Sequence, residues 1–476
     1  MVYDKRLKSP RRSRDKFKTD LRLKTLNRTI WRLAWPAIIE NMLFSTVLLA
    51  DTLITGWLRD ERMLAATALA GLLMFLMNAP FIALAAAANS IVSRSWGEGD
   101  YLTARRCAGM ALGLAIALAG VLCIGAEPFA DRVVRLFGAS PEVAPIGAKY
   151  LQILLLSGFC GFPMMVSNAI IRGTGNTYTP MRVAGMMNAA NVLFSVLLAF
   201  GWMGLPRLGV YGVAWGTVIA RGVGFALSAG YLTRCDGTGV APDYLIRRDR
   251  RLLGRLWHQA WPTLAERFTN SLIYVLFMRL VAGLGTTTLA AHNITVQVES
   301  LAFMLAWAIS TATTTLVGQA IGARLEHIAE ITVRRTLMLA AILMGGLAVV
   351  FLIFGPYIVM MFGATEAVIG KAAVVIRIAA AELVFMAWTF VLIGAMRGAG
   401  DARSPLLVNF TSTMLFRIGG VYLLAYVWGW GLSGVWTATA VDWAVRSVGL
   451  ALCFRRGRWK TMHEKEKLRY AAEPVG

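Results

Sequence analysis

Six acidic and six basic side chains of this sequence fall within strongly apolar stretches, where a charge is costly and usually serves pairing or function. The acids are Glu40, Asp51, Glu266, Glu299, Glu382 and Asp442, and the bases are Arg221, Arg267, Arg279, Arg377, Arg417 and Arg446. Asp442 and Arg446 stand four residues apart and are predicted to form an ion pair on one helix. Neighbouring helical residues point apart, so Glu266 and Arg267 each need a partner from another segment.

Asp51 is the acid best suited to carry a proton. No basic residue occurs between Arg32 and Arg59, so Asp51 has no counter-ion in its own apolar segment. Desolvation disfavours the charged form of a buried carboxyl group, which favours exchange of a proton at Asp51. Glu40 falls on the same helical face three turns earlier and is expected to line the same cavity. The alternative is an ion pair between Asp51 and Arg221.

A stripe of polar residues could complete a pocket around Asp51. Asn188, Asn191 and Ser195 recur at helical spacing on one face, and Asn168 lies one turn before Arg172. Such a stripe can also join neighbouring membrane helices by hydrogen bonds. The spacing leaves both interpretations open.

Enzymatic, metal and nucleic-acid chemistry find little support in the sequence. The five cysteines show no paired spacing, the four histidines are scattered, and Gly370-Lys371 lacks the upstream glycine of a nucleotide-binding loop. The net charge of +22 comes from residues in loops and tails, without the aromatic interleaving of a nucleic-acid surface. We therefore predict no enzyme activity, no metal site, no cofactor and no nucleic-acid partner.

Composition predicts an integral membrane protein. Hydrophobic residues make up 57% of the chain, charged residues 16%, and the mean hydropathy is +0.60. A spanning helix needs about 20 mostly apolar residues. Polar breaks divide the chain into twelve such stretches, centred near residues 45, 80, 115, 160, 191, 220, 270, 303, 344, 385, 416 and 442.

The chain contains an internal duplication with an offset of about 225 residues. Arg172-Gly-Thr-Gly-Asn-Thr-Tyr-Thr-Pro180 recurs as Arg397-Gly-Ala-Gly-Asp-Ala-Arg-Ser-Pro405. Trp31-xxx-Trp35-Pro36-xxx-Glu40 recurs as Trp257-xxx-Trp261-Pro262-xxx-Glu266. The predicted fold is all-α, with twelve transmembrane helices in two pseudosymmetric six-helix bundles. An even number of spans in each half makes the repeat parallel.

Basic residues set the predicted orientation and the domain limits. They are concentrated in the first 28 residues, in the central linker and after Cys453, which places both termini in the cytoplasm. We predict a basic tail over 1–28, a first lobe over 29–233, a linker over 234–256, a second lobe over 257–455 and a tail over 456–476. The basic tail is expected to touch anionic membrane lipid.

At these residues the chain resembles the multidrug and toxic compound extrusion (MATE) family. The resemblance covers residues 28–455 and rests on Asp51-Thr-xxx-Gly56, the doubled Arg-Gly-x-Gly loops, Ala290-Ala-His-Asn-Ile294 and Leu316-Val-Gly-Gln-Ala-Ile-Gly322. It implies a monomeric efflux transporter of a bacterial-type inner membrane that exports amphipathic, cationic compounds in exchange for H⁺ or Na⁺. Aromatic residues could then stack on substrates, with Trp215, Trp307, Trp388 and Phe303 as candidates.

The resemblance also implies site residues. The coupling carboxylate of the family falls on Asp51, with Glu40 and Glu266 as further coupling candidates. The implied pocket residues are Tyr150, Asn168, Asn191 and Thr217, and Asn188 and Ser195 of the polar stripe are expected to join them.

Departures from the family pattern bear on the coupling ion. Ser195 stands where a second polar or acidic residue could supply charge, and Glu266 and Glu382 are displaced from the acids of the sodium-coupled norfloxacin-exporter branch. The pattern is closer to the DNA-damage-inducible branch, so protons are favoured and Na⁺ is the alternative. The competing function is a lipid-linked oligosaccharide flippase, in which Arg377 and Arg417 would grip a pyrophosphate.

Overall fold

The computed structural model describes residues 25–234, 239–246, 249–363 and 365–471. This part of the chain is almost entirely helical and contains no strand. Long apolar runs without interior breaks explain this, because a helix satisfies its own backbone hydrogen bonds where no water is available. Cys235 lies outside the described residues.

Twelve long helical stretches follow one another within the described residues, six in each half. The first half contains α1 (Leu26–Trp57), α2 (Glu61–Met77 and Ala79–Glu98), α3 (Tyr101–Ala126), α4 (Ala144–Gly173), α5 (Tyr178–Phe200) and α6 (Val210–Arg234). The second contains α7 (Arg250–Ala282), α8 (Thr286–Gly322), α9 (Glu326–Met360), α10 (Glu366–Ala399), α11 (Arg403–Val427) and α12 (Gly431–Arg455). Each predicted span centre lies inside one stretch. The predicted all-α fold of two repeated six-helix halves is confirmed.

Length and apolar composition separate the spans into two groups. Among the described residues, nine stretches are long and apolar enough to cross a membrane. The helix α2 makes a tenth if its two parts, bent by 41°, form one span. The less apolar stretches are α7 and α12. Each carries an acid and an arginine in its interior, namely Glu266 with Arg267 and Asp442 with Arg446.

Residue contacts group the chain into two compact units, mainly Trp35–Ala260 and the residues from Trp261 onward. The first unit therefore runs past residue 233, where the sequence places the end of the first lobe. The linker contributes a short helix, Pro242–Ile246, that packs on α3. A Cβ atom added to Gly109 would lie 2.4 Å from Cβ of Tyr244, and one added to Gly113 would lie 2.2 Å from the Leu245 carbonyl oxygen. Part of the linker is thus built into the first unit and is not a free tether.

The second unit has a π-helical segment in α11 and an additional helix after α12. The segment Thr413–Ile418 of α11 is π-helical, and Arg417 projects from it. Single π-helical turns within α-helices often mark functional positions. After α12 the helix Arg458–Ala471 returns to the unit, where the buried Trp459 stacks on Phe454 with ring centroids 4.7 Å apart.

Candidate functional site

A polar pocket in the first unit holds Asp51 between α1, α5 and α6. Asn191 Nδ2 donates to Asp51 Oδ1 at 3.1 Å, and Thr217 Oγ1 donates to Asp51 Oδ2 at 3.0 Å. Asn191 Nδ2 also donates to Thr217 Oγ1 at 3.1 Å. Asp51 is 9% exposed and its two partners are buried. The structure therefore brings together three predicted site residues that lie on three different helices.

Close packing of α5 against α6 positions the two donors. A Cβ atom added to Gly216 would lie 2.2 Å from Ser195 Oγ and 2.5 Å from the Ser195 backbone nitrogen. One added to Gly212, a turn earlier, would lie 2.4 Å from the Leu198 carbonyl carbon. Small residues at this spacing let two membrane helices approach closely. Thr217 follows Gly216 directly, and this approach carries its hydroxyl to Asn191.

Arg221 and Tyr150 surround the pocket without bonding to the carboxylate. Both interact electrostatically with Asp51. Arg221 Nη1 instead donates to Ser157 Oγ at 2.9 Å, and no basic nitrogen of the described residues lies within 4.0 Å of the Asp51 carboxylate. A direct Asp51–Arg221 ion pair is thus not formed. Gly161 leaves room for Arg221, because an added Cβ would lie 2.7 Å from Arg221 Cδ.

The other predicted pocket residues have different neighbours. Asn188 Nδ2 donates to the Leu43 carbonyl oxygen and to that of Ala184, each at 2.9 Å, and so ties α5 to α1. Ser195 Oγ donates to the Val213 carbonyl oxygen at 3.4 Å. The side chain of Asn168 is buried without a hydrogen-bond partner among the described residues and so does not bond to Asp51. Of the polar stripe, only Asn191 reaches the carboxylate.

Glu40 and Glu266, the further coupling candidates, are each paired with an arginine. Arg172 Nη1 lies 2.5 Å from Glu40 Oε1, and Arg397 Nη2 lies 2.5 Å from Glu266 Oε2. Glu266 also accepts from Asn409 Nδ2 at 2.8 Å. Each pair ties the first helix of its unit to the end of the fourth, and we call each one a brace. The sequence analysis did not predict either arginine as the partner of a glutamate. A signal was present, because Arg172 and Arg397 begin the two copies of the repeated loop, and Glu40 and Glu266 occupy equivalent positions in the two halves.

A charged cluster occupies the second unit. Asp442 accepts from Arg446 and lies 2.9 Å from Arg417 Nε, and Ser412 Oγ donates to its Oδ1 at 2.6 Å. The predicted Asp442–Arg446 pair is therefore present and includes a second arginine. Glu299 and Glu382 contact each other, both buried, beside this cluster. Arg377 is exposed.

The described residues contain no group of three or more His, Cys, Asp or Glu side chains that could hold a metal ion. The groups that donate to Asp51 are instead an amide and a hydroxyl, and the Tyr150 phenol and the Arg221 guanidinium interact with it without a direct bond. This arrangement can stabilise a carboxylate by neutral hydrogen bonds and can accommodate a proton on it.

Comparisons with known proteins identify relatives along most of the chain. The MatE family model matches residues 36–197 and 262–423, one match in each half. The probable multidrug resistance protein NorM of Thermotoga maritima is 28% identical over 443 residues, which cover 91% of this chain and 93% of that protein. The uncharacterized transporter YisQ of Bacillus subtilis is 24% identical over 441 residues, covering 92% and 95%.

Solved structures share the fold. The crystal structure of MATE in the bent conformation matches with a TM-score of 0.86 and 20% identity, covering 95% of this chain and 99% of that chain. The crystal structure of MATE in the straight conformation matches with a TM-score of 0.84 and 20% identity, covering 92% and 97%.

Proposed function

The chain belongs to the MatE family and is a membrane transporter of the multidrug efflux type, and we propose that it is a proton antiporter in which Asp51 carries the coupling proton. The proposed substrates are amphipathic, cationic compounds, and the proposed cycle is alternating access. We further propose that it works as a monomer in a bacterial-type cytoplasmic membrane, with both termini in the cytoplasm.

One observation carries the proposal: the buried carboxylate of Asp51 is held only by neutral donors. Asn191 and Thr217 supply them, and the described residues place no cation within 4.0 Å. Burying a carboxylate without a paired cation costs several kcal/mol, which hydrogen bonds offset in part. A proton removes that charge. The free energies of the ionised and neutral states are therefore close enough for exchange.

Thr217 suits the pocket to both states of Asp51. Its Oγ1 lies within hydrogen-bond distance of Asp51 Oδ2 and, at 3.2 Å, of the Val213 carbonyl oxygen. When Asp51 is ionised, the hydroxyl donates to the carboxylate. When Asp51 is protonated, the hydroxyl can donate to Val213 and accept from Asp51, because a hydroxyl both donates and accepts.

Proton binding is coupled to export through α1. The polar contacts that fasten this helix to its unit include, in the part of the chain that the structure describes, the Glu40–Arg172 brace, the bond from Asn188 to the Leu43 carbonyl and, third, the Asp51 pocket. Protonation changes only the third contact. If drug and proton stabilise different arrangements of α1, the two ligands compete, and the proton gradient drives export.

The flippase alternative receives less support from the geometry. It requires arginines free to grip a pyrophosphate. Arg417 is held by Asp442 at 2.9 Å, and Arg377 is exposed on the surface of its unit. The drug-efflux function is therefore preferred.

The test is Asp51→Asn, measured as proton-driven efflux of a cationic dye from everted vesicles. We expect a folded, inserted protein without coupled efflux, because the side chain keeps its size but can no longer change charge. Glu382→Gln is the control, since it neutralises a buried acid of the other unit. Retention of wild-type proton release on drug addition in Asp51→Asn would place the carrier elsewhere, with Glu266 or Glu40 as the next candidates.

A further inference from the structure

Arg267, in the interior of α7, forms no ion pair with the acids that the structure describes. Its guanidinium lies over the Trp307 ring, 4.5 Å from the centroid, and is partly buried. Within the described residues, no carboxylate oxygen lies within 4.0 Å of it and its side chain donates no hydrogen bond. A guanidinium stacked on a ring keeps its N–H groups directed outward in its own plane. Those donors are available to a ligand.

The charge around Arg267 is unbalanced. Glu266 attracts it and Arg397 repels it, but Glu266 is already bound by Arg397 and Asn409. Arg267 and Arg397 therefore both interact electrostatically with one glutamate. In the first unit the corresponding residue is Asn41, a neutral side chain whose amide donates to the Ala37 carbonyl oxygen at 2.8 Å, so that this position adds no cation to the Glu40–Arg172 brace. The excess positive charge is particular to the second unit.

Aromatic rings extend from Arg267 into the second unit. Trp307 meets Phe390 at a centroid distance of 5.9 Å, and Phe390 meets Phe303 at 6.1 Å. All three rings are only partly buried, which leaves part of each open to a flat ligand. Trp443 closes the far side, 6.0 Å from Phe390, and the Arg446 guanidinium covers its ring at 4.7 Å.

We propose that Arg267, Trp307, Phe303 and Phe390 form a substrate site for an aromatic carboxylate. The carboxylate takes the free edge of the guanidinium in a bidentate pair, and the ring stacks on the phenylalanines. The site extends the export function to compounds that carry an acid, including zwitterions whose amine suits a cation exporter. As an export site it rests on the proposed function, but ligand binding does not.

The experiment measures binding to the full-length protein in lipid nanodiscs, by energy transfer from tryptophan to anthracene after subtraction of empty nanodiscs. The probes are 9-anthracenecarboxylate and its neutral isostere 9-anthracenecarboxamide. We expect the wild type to bind the carboxylate about tenfold more tightly, a difference of about 1.4 kcal/mol. Arg267→Gln should lower this ratio to about one, because it removes the charge that distinguishes the probes. No ion gradient is present, so failure of Asp51 coupling cannot produce either result.

Two control variants sharpen the test. Arg377→Gln removes an exposed arginine of the same unit and should leave the ratio unchanged. Phe390→Leu should weaken both probes in parallel, since it alters the ring contact and not the charge.

Equal affinities for the two probes in the wild type would overturn the proposal, as would an unchanged ratio in Arg267→Gln. The wild-type ratio decides first, and it remains decisive if the arginine variant cannot be recovered folded. Displacement of the carboxylate by farnesyl pyrophosphate at far lower concentration would also overturn the assignment, because it would indicate recognition of a lipid phosphate.

Discussion

The first helices of the two units share a brace but differ at one later position. Asp51 follows Glu40 at the same distance along the chain as Phe277 follows Glu266. Asp51 sits among hydrogen-bond donors, whereas Phe277 lies 5.6 Å from the ring of the buried His292, which in turn is 5.6 Å from that of Trp436. The two halves therefore share the brace but differ at the position eleven residues after its glutamate. The first unit contains a group that can change charge there, and the second contains an aromatic cluster.

The threonines of the sixth helix in each unit show the same divergence. Thr217 Oγ1 lies 3.2 Å from the carbonyl oxygen four residues earlier, that of Val213, and Thr439 Oγ1 donates to the Val435 carbonyl oxygen at 3.0 Å. Only Thr217 also reaches a carboxylate. The contact of the threonine hydroxyl with the carbonyl oxygen four residues earlier is therefore common to both units, and the contact with a carboxylate is found at Thr217.

Breaking the brace should give the largest loss of stability. Arg172→Gln leaves Glu40 buried without a cation, which costs about 3–5 kcal/mol. Arg397→Gln should cost less, because Asn409 still donates to Glu266. Thermal unfolding of the purified proteins measures both losses. The double variant Arg172→Gln with Glu40→Gln should recover most of the stability, and an Arg172→Gln protein as stable as wild type would contradict a stabilising brace.

Removing the Thr217 hydroxyl should mainly impair transport. Thr217→Val deprives the ionised Asp51 of a hydrogen bond worth about 1.5–3 kcal/mol, so proton release becomes harder and coupled dye efflux slows about tenfold or more. Thr439→Val is the matched variant of the second unit and loses only its bond to Val435. Efflux rates in proteoliposomes at a fixed pH gradient compare the two. Equal rates would show that the hydroxyl of Thr217 plays no special part.

Filling the contact between α5 and α6 should give the smallest effect of the three. Gly216→Ala places a methyl group against Ser195 and costs about 1–3 kcal/mol in a packed interior. The second unit carries Ala438 at the corresponding place, so it already accepts that methyl group. Gly222→Ala on the same helix meets nothing within 4 Å and should be neutral or stabilise by about 0.5–1 kcal/mol. Melting temperatures that fall equally in both variants would refute the packing argument.

Much of the fold could be predicted because its causes are local or repeated. The length of each apolar run predicts a span, and the offset between the doubled Arg-Gly-x-Gly loops predicts two equivalent halves. The same offset identifies α7 and α12 as spans, although their charged residues make them less apolar than the other ten.

The candidate site was harder to predict because it depends on contacts between helices. Helical spacing places Asn188, Asn191 and Ser195 on one face, but it does not say which of them meets α1. The close approach at Gly216 decides this, and it brings Asn191 to Asp51 while Ser195 packs against α6. Glu40 shares a face with Asp51, yet its partner Arg172 lies 132 residues away, and no pattern within α1 can indicate it.

The brace of the second unit has a consequence for how the protein is made. Glu266 and Arg397 are 131 residues apart, and a ribosome adding roughly 5–20 residues per second needs on the order of 10 s between them. During that interval α7 has been synthesised but Arg397 has not, so Glu266 lacks its partner when its helix reaches the membrane, where an unpaired charge is costly. A chain cut short before Arg397 therefore lacks the cation that pairs with this buried glutamate. In each half, the brace can form only after the fourth helix has been synthesised.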